Sequence, residues 1–154
     1  MTITLRPAGE KDMEWLMIQL RDFDKFAAFK RSLVEDDAYA RLALKALVDD
    51  HVCYIAVGDA PRQGGVRMGF IAGFVTPHAF NPRIRVLTEA FWWVPSEFRH
   101  SRAGLTLLNE FVKQGRERGC DWITFSLEHK SPVRPETLTR RGFAVKEQSF
   151  LLEV

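Results

Sequence analysis

The sequence is poor in the features that mark disulfide frameworks and metal sites. Its 154 residues include only two cysteines, Cys53 and Cys120, and neither belongs to a CxxC motif. Both thiols are therefore expected to be free in a reducing compartment. Histidines, cysteines and acidic residues form no cluster with ligand spacing, so the sequence predicts no metal site.

Long apolar runs and a strong excess of one charge are also missing. No apolar run approaches the roughly 20 residues that span a bilayer, and the N-terminus lacks the basic-then-apolar pattern of a secretory signal. We therefore expect no membrane partner and a cytoplasmic location. A net charge of +2 does not indicate a nucleic-acid-binding protein. The length and the 46% hydrophobic residues predict one globular domain over residues 1–154.

Apolar spacing predicts alternating strands and helices. Strands are predicted over residues 2–6, 52–57, 67–76, 84–94 and 121–127, helices over 10–23, 36–48, 102–118 and 135–141, and one or two terminal strands over 143–154. This order is typical of an α/β domain, or an α+β domain, with a central mixed sheet. The strand–helix–strand passage over residues 84–127 predicts a crossover between parallel strands.

The connecting segments leave alternatives open. Phe23, Phe26 and Phe29 recur at spacings of three, either in a loop that folds back onto the core or in a flap over a substrate pocket. Residues 58–65 are predicted to form a turn and residues 77–82 a loop. Gly69 and Gly73 in the second hairpin strand indicate either bulges or a close approach of another backbone.

Residues 91–111 carry the main functional signal. A hydrophobic strand breaks at Pro95, crosses a short basic turn and restarts with leucines at helical spacing. The first N–H groups of a helix have no internal partner and the helix dipole favours an anion there. Arg99 and Arg102 add positive charge to the turn. The stretch therefore predicts a site for a phosphate-bearing cofactor.

The same stretch resembles the GCN5-related N-acetyltransferase family. The family motif Gln/Arg-x-x-Gly-x-Gly/Ala is matched by Arg99 at its first position and Gly104 at its last, with Arg102 replacing the middle glycine. Residues 140–143, Arg-Arg-Gly-Phe, resemble the Lys-Leu-Gly-Phe that ends the family's last helix. The resemblance covers nearly the whole chain and implies an acyl-CoA acyltransferase fold.

By this resemblance the cofactor is acetyl-CoA and the partner is an amine acceptor. The strand end would pair with the pantetheine arm and the amides from Arg99 to Gly104 would hold the pyrophosphate. The implied cofactor-binding residues are Trp92, Trp93, Val94, Arg99, His100, Ser101, Arg102, Ala103, Gly104 and Ser131.

The resemblance also implies a general base and exposes a missing acid. Glu89 is the acidic residue of the central strand, and a carboxylate among aromatics has the raised pKa that a base requires. The alternative places Glu89 in solvent or beside Arg83 or Arg85. Leu138 occupies the position of the family's usual tyrosine acid. Thr137, Thr139 or Ser131 are weaker substitutes.

The acceptor and the reaction have competing interpretations. The three phenylalanines, with Trp92 and Trp93, predict an aromatic wall, whereas Arg83 and Arg85 favour an acidic group. His78 and His129 are candidates to reach a pocket, although lone histidines are more often structural. The alternatives to an N-acetyltransferase are a non-catalytic acyl-CoA-binding module and an interaction domain whose basic turn contacts nucleic acid or a protein. Homodimer formation stays open.

Overall fold

Five strands form one sheet in the order of the chain. The computed structural model describes residues 2–60 and 64–154. The strands are β1 (Ile3–Pro7), β2 (Val52–Gly58), β3 (Val66–His78), β4 (Asn81–Trp93) and β5 (Trp122–Thr124). Neighbouring strands are antiparallel except β4 and β5, which are parallel. The predicted mixed sheet and its parallel crossover are therefore confirmed.

Helices cover both faces of this sheet. They are α1 (Met13–Ala27), α2 (Asp37–Asp50), α3 (Ala103–Glu117) and α4 (Pro135–Thr139), with 3-10 turns at Glu10–Asp12 and Ser96–Phe98. Phe70 and Ala72 pack with α1 and α2, whereas Ile71 between them packs with α3. Successive side chains of a strand point to opposite faces, so β3 supplies both layers of the core. Within the described ranges, no helix combines the length and the apolar character needed to cross a membrane.

Helix α1 is longer than its sequence pattern predicted. It continues past Phe23 through Phe26 and ends at Ala27, so the interpretation of Phe26 as part of a loop is wrong. No glycine or proline interrupts this stretch, and both rings pack against Trp93 across the core. Ala28 adopts a left-handed conformation with φ of 55°, which ends the helix before Phe29.

The predicted loop over residues 77–82 is a tight hairpin turn. Strand β3 runs to His78 and β4 begins at Asn81, which leaves two residues between them. Pro77 and Pro82 suggested a loop, but both lie at the exposed end of the hairpin. A proline is tolerated there because few ladder hydrogen bonds need its missing N–H group.

The predicted terminal strands are absent from residues 143–154. An apolar pattern indicates a strand only where a neighbouring strand supplies hydrogen-bond partners, and β5 has just three residues. Phe150, Leu151 and Leu152 are consequently exposed. Part of the predicted turn over residues 58–65, namely residues 61–63, lies outside the described residues.

The two glycines of β3 allow β4 to lie unusually close. A Cβ at Gly69 would lie 2.8 Å from the Trp93 carbonyl oxygen, and a Cβ at Gly73 would lie 2.6 Å from that of Thr88. Both alternatives for these glycines therefore occur: the backbones approach closely, and the strands also contain a bulge, since the register of β3 and β4 shifts between Ala72 and Gly73. Phe91 pairs with Ala72 and Glu89 pairs with Gly73, so Ala90 is the extra residue.

Candidate functional site

The candidate site is a cavity of about 620 Å³ where β4 and β5 diverge. The ladder between these strands ends at the pair Thr88 and Thr124, so β4 from Glu89 onward has an edge without a β5 partner. We call this space the splay cavity. Its lining comes from α1, the end of β4, the basic turn (residues 99–104), the segment 126–134 and α4. The two parallel strands therefore diverge beside this cavity.

The basic turn exposes some of its backbone N–H groups and uses others. The amide of Arg99 donates to the Ser96 carbonyl oxygen at 3.4 Å, and the amide of Ser101 donates to the Phe98 carbonyl oxygen at 3.0 Å. The amide of Ala103 donates to the Ser101 hydroxyl at 3.2 Å. Within the described part of the chain, the amides of His100, Arg102 and Gly104 have no such partner. Three amides at the start of α3 are thus available to an anion.

The two arginines of the turn point in different directions. Arg99 turns back to β4, where its Nε donates to the Val94 carbonyl oxygen at 2.9 Å. Its guanidinium carbon lies 4.8 Å from the Trp93 ring centroid. Arg102 lines a separate cavity of about 410 Å³ with Ile3. Arg99 therefore already occupies the carbonyl oxygen of Val94.

Trp92 and Gly104 join the strand end to the helix start. The indole Nε1 of Trp92 donates to the Gly104 carbonyl oxygen at 3.1 Å. A Cβ at Gly104 would lie 3.7 Å from the nearest Val94 atom, which is ordinary contact. Gly104 lines the splay cavity, so a longer side chain there would enter the space between strand and helix.

The remaining predicted cofactor residues fall into three groups. Trp92, Trp93, Val94, Ser101 and Ser131 line the splay cavity. Ala103 is buried in the core beneath the turn, and His100 is exposed on it. The Ser131 hydroxyl accepts from the amide of Val133 at 3.2 Å, which holds the segment opposite the turn.

Glu89 lies in the splay cavity where the strands separate. Burial raises the pKa of its carboxyl to about 7, and a hydrogen bond from the Ser126 backbone N–H partly offsets this rise. Among the described residues Glu89 forms no salt bridge, so the alternative pairing with Arg83 or Arg85 does not occur. A carboxyl that titrates near neutrality can take up a proton at ordinary pH.

Leu138 leaves the usual acid position without a proton donor. Its side chain is buried, whereas Thr137 and Ser131 line the splay cavity. The Thr139 hydroxyl is exposed and donates to the Glu136 carbonyl oxygen at 3.4 Å. The hydroxyl-bearing residues in the cavity lining are Thr137 and three serines, Ser101, Ser126 and Ser131.

The histidines and the strand arginines are not brought to this site. His78 packs on Trp122, with ring centroids 5.3 Å apart, at the far end of the β3–β4 hairpin. His129 is exposed and pairs with Glu128 at 3.0 Å. Neither histidine lines the splay cavity, and Arg83 and Arg85 do not line it either. In the described ranges, three or more potential metal-ligating side chains do not gather anywhere.

Several cavity residues were not identified from the sequence. Ser126, Glu128 and Arg134 line the cavity although they follow β5 in an irregular segment. No local pattern marks them, because only the parallel pairing of β5 with β4 brings this segment opposite the basic turn. The sequence feature that could have indicated a site here is the position of Arg134 directly before Pro135, where α4 starts.

Comparison with known proteins identifies the fold. No protein-family model matches the sequence, and no curated protein matches it significantly. A Trypanosoma brucei acetyltransferase has a similar structure, with TM-score 0.71, 19% identity and coverage of 99% of this chain and 100% of that one. A predicted acetyltransferase with acetyl-CoA from Clostridium acetobutylicum gives a TM-score of 0.73, 13% identity and coverage of 99% and 96%.

A third structure is that of AAC(6')-Iy in complex with the bisubstrate analog CoA-S-monomethyl-acetylneamine. It gives a TM-score of 0.71 and 16% identity over 100% of this chain and 99% of that chain. These likenesses confirm the acetyltransferase fold that the sequence resemblance implied. At such identities they establish the fold alone.

Proposed function

We propose that residues 1–154 form one domain that transfers an acetyl group from acetyl-CoA to a primary amine. One observation carries the proposal. A strand edge that β5 does not pair leads to three helix-start amides that have no partner among the described residues, and the same strand carries a carboxyl of raised pKa. The likeness to solved acetyltransferases, one of them with acetyl-CoA, supports this use of the arrangement.

Acetyl-CoA would lie along the diverging strands. Backbone groups of Trp92, Trp93 and Val94 would form hydrogen bonds with the pantetheine arm. At Val94 this group would be the backbone N–H, because Arg99 already occupies the carbonyl oxygen. The amides of His100, Arg102 and Gly104 would hold the pyrophosphate, because they are the donors of the turn without internal partners. Ala103 supports the turn from the core, Arg99 braces it against β4 and Ser131 closes the opposite wall.

The chain would supply a base to the reaction and an environment to the leaving group. Glu89 accepts a proton from the attacking amine, directly or through one water. A nitrogen–carbon bond forms at the acetyl carbonyl, and the carbon–sulfur bond breaks. Coenzyme A leaves the acetyl carbon as its thiolate, which takes a proton from water or from the hydroxyl of Thr137 or Ser131. No protein group with a low pKa is required for this last step.

A pair of variants at Gly104 tests the cofactor site. Gly104→Ala adds a methyl group at ordinary contact distance, so it should keep most of the affinity for coenzyme A. Gly104→Glu adds bulk and negative charge at the proposed pyrophosphate position and should weaken coenzyme A binding at least about tenfold. Isothermal titration of both folded variants measures this difference. Equal affinities would refute the assigned site.

A second candidate function is a non-catalytic acyl-CoA-binding module. The burial of Leu138 at the usual acid position favours it. Release of free thiol from acetyl-CoA in the presence of an amine panel separates the two functions. The enzyme releases thiol in proportion to amine, whereas the module binds coenzyme A and releases none.

A further inference from the structure

The splay cavity extends past Glu89 to an aromatic wall on α1. Phe23 and Phe26 both line it, and their ring centroids lie 5.7 and 5.4 Å from that of Trp93. Phe23 also lies 5.4 Å from Phe91. The rings contact each other edge-on or tilted, which holds them as one surface. This wall suits a flat apolar group.

Arg99 places a positive charge beside that wall. Its guanidinium carbon lies 5.4 Å from the Phe26 centroid in addition to its contact with Trp93. Nε donates to the Val94 carbonyl oxygen, and among the described residues no hydrogen bond or carboxylate engages the two terminal nitrogens. Arg99 lines the splay cavity, so these nitrogens form a fork of donors for a ligand there. Such a fork fits a carboxylate in a bidentate manner.

The negative charge available at this end is small. Glu89 is needed there as the base, and the Glu128 carboxylate already accepts from the amide of Lys130 at 2.9 Å and contacts His129. A polycationic amine would find no further carboxylate in the lining and would meet the charge of Arg99. The charge distribution therefore disfavours polyamines as acceptors.

We propose that the acceptor is an amine with an aromatic or large apolar body and a carboxylate, as in an aromatic amino acid. Its carboxylate pairs with Arg99, its ring packs on Phe23 and Phe26, and its amino group is thereby held near Glu89. This inference rests on the proposed acetyltransferase function and specifies its substrate class. It makes Arg99 a specificity residue through its side chain, separate from the backbone of the turn.

The test compares a matched pair of acceptors, which differ only in the carboxylate, with a polyamine. L-Phenylalanine carries ring and carboxylate, phenethylamine lacks the carboxylate, and spermidine is a polycation. Thiol release from acetyl-CoA gives kcat/KM for each, and thermal stabilisation of the protein saturated with coenzyme A ranks their binding. We expect L-phenylalanine to exceed phenethylamine at least about tenfold, since one charged hydrogen-bonded pair accounts for such a factor.

Arg99→Gln should abolish this preference. The ratio of L-phenylalanine to phenethylamine should fall to about one in Arg99→Gln and stay unchanged in Arg102→Gln, whose side chain lies at the other cavity. A preference for spermidine, or a ratio unaffected by Arg99→Gln, would overturn the inference. Failure of every amine to release thiol would instead refute the proposed function. In that case the binding order measured with coenzyme A still shows which class of amine the cavity binds.

Discussion

At the scale of single residues, Asp12 shows how a charge can be buried with all its partners. Its carboxylate has no exposed surface and accepts two hydrogen bonds from Arg6, at 2.7 and 2.8 Å. Arg67 and the amide of Gly9 each donate at 2.9 Å. The hydrogen bonds from Arg6 in particular hold the pKa of Asp12 well below its usual range, against the effect of burial. Asp12 thereby ties β1 and β3 to the start of α1.

Asp12→Asn should lower the free energy of unfolding by about 3 kcal/mol, because it leaves two arginines without their buried counter-charge. Urea unfolding at pH 7 measures the loss. The lowered pKa also means that Asp12 stabilises the fold above its unfolded pKa of about 4, and that this contribution is lost as pH falls further. The variant should lack that acid-dependent component. Glu14→Gln, which breaks an exposed pair with Arg41, should cost much less than Asp12→Asn because solvent screens that pair.

The titration of Glu89 should determine the pH dependence of the reaction rate. Its pKa of about 7 means that the base form, and hence kcat/KM, rises with pH through about 7. Glu89→Gln should lower kcat by about 10²-fold or more and remove this limb from the pH profile. A profile that keeps its limb near 7 in the variant would contradict the assignment of the base.

The same substitution separates activity from stability. A carboxyl with a raised folded pKa destabilises the fold as pH rises from its unfolded pKa to its folded one, because the folded state resists ionisation. Glu89→Gln should therefore leave the melting temperature at pH 8 unchanged or higher. A large drop would indicate that Glu89 is structural.

At the scale of elements, the close contact of β3 and β4 positions Glu89. A Cβ at Gly73 would lie 2.6 Å from both the Thr88 carbonyl oxygen and the Phe111 ring. Gly73→Ala should therefore lower the free energy of unfolding by about 2 kcal/mol or more, since a backbone atom has to move. It should also reduce kcat, because the displaced strand carries Glu89. Gly9→Ala, with nothing within 4 Å of its Cβ, is the matched control for both measurements.

The elements also show where a local pattern suffices. Met13, Leu16, Met17 and Leu20 share one helix face, and the structure buries all four. The sequence pattern predicts too early an end for α1, because phenylalanines at spacings of three, mixed with charges, fit both a loop and a helix. Contact with Trp93, far along the chain, resolved the ambiguity. The prediction of terminal strands over residues 143–154 is wrong for the converse reason, because the apolar residues there have no neighbouring strand to pair with.

At the scale of the whole molecule, the proposed function predicts stabilisation by coenzyme A. A ligand that binds only the folded state at 100 times its Kd adds about 2.7 kcal/mol, or roughly 5–10 °C in Tm for a chain of this length. Thermal shifts should appear with coenzyme A and acetyl-CoA and be absent with nucleic acid. A shift with nucleic acid alone would favour the interaction-domain alternative.

The expectation of one domain has its own test. If residues 1–154 form a single cooperative unit, urea unfolding followed by tryptophan fluorescence and by circular dichroism should give coincident transitions. Three of the four tryptophans lie on β4 or β5 and one on α1, so fluorescence reports on both faces of the sheet. Two separated transitions would contradict the one-domain expectation.

The sequence by itself determined the order of elements, the parallel crossover and the location of the basic turn after the central strand. These features depend on local periodicity, on strand-breaking residues such as Pro95 and on the residues that favour a helix start, all of which lie close together in the sequence. Tertiary structure alone decided which amides of the turn stay free, that Arg99 turns to Trp93 while Arg102 turns away, and that Arg134 faces the cavity. Those outcomes depend on contacts between segments that are distant in the sequence, and a local sequence pattern does not indicate which distant group will form the contact.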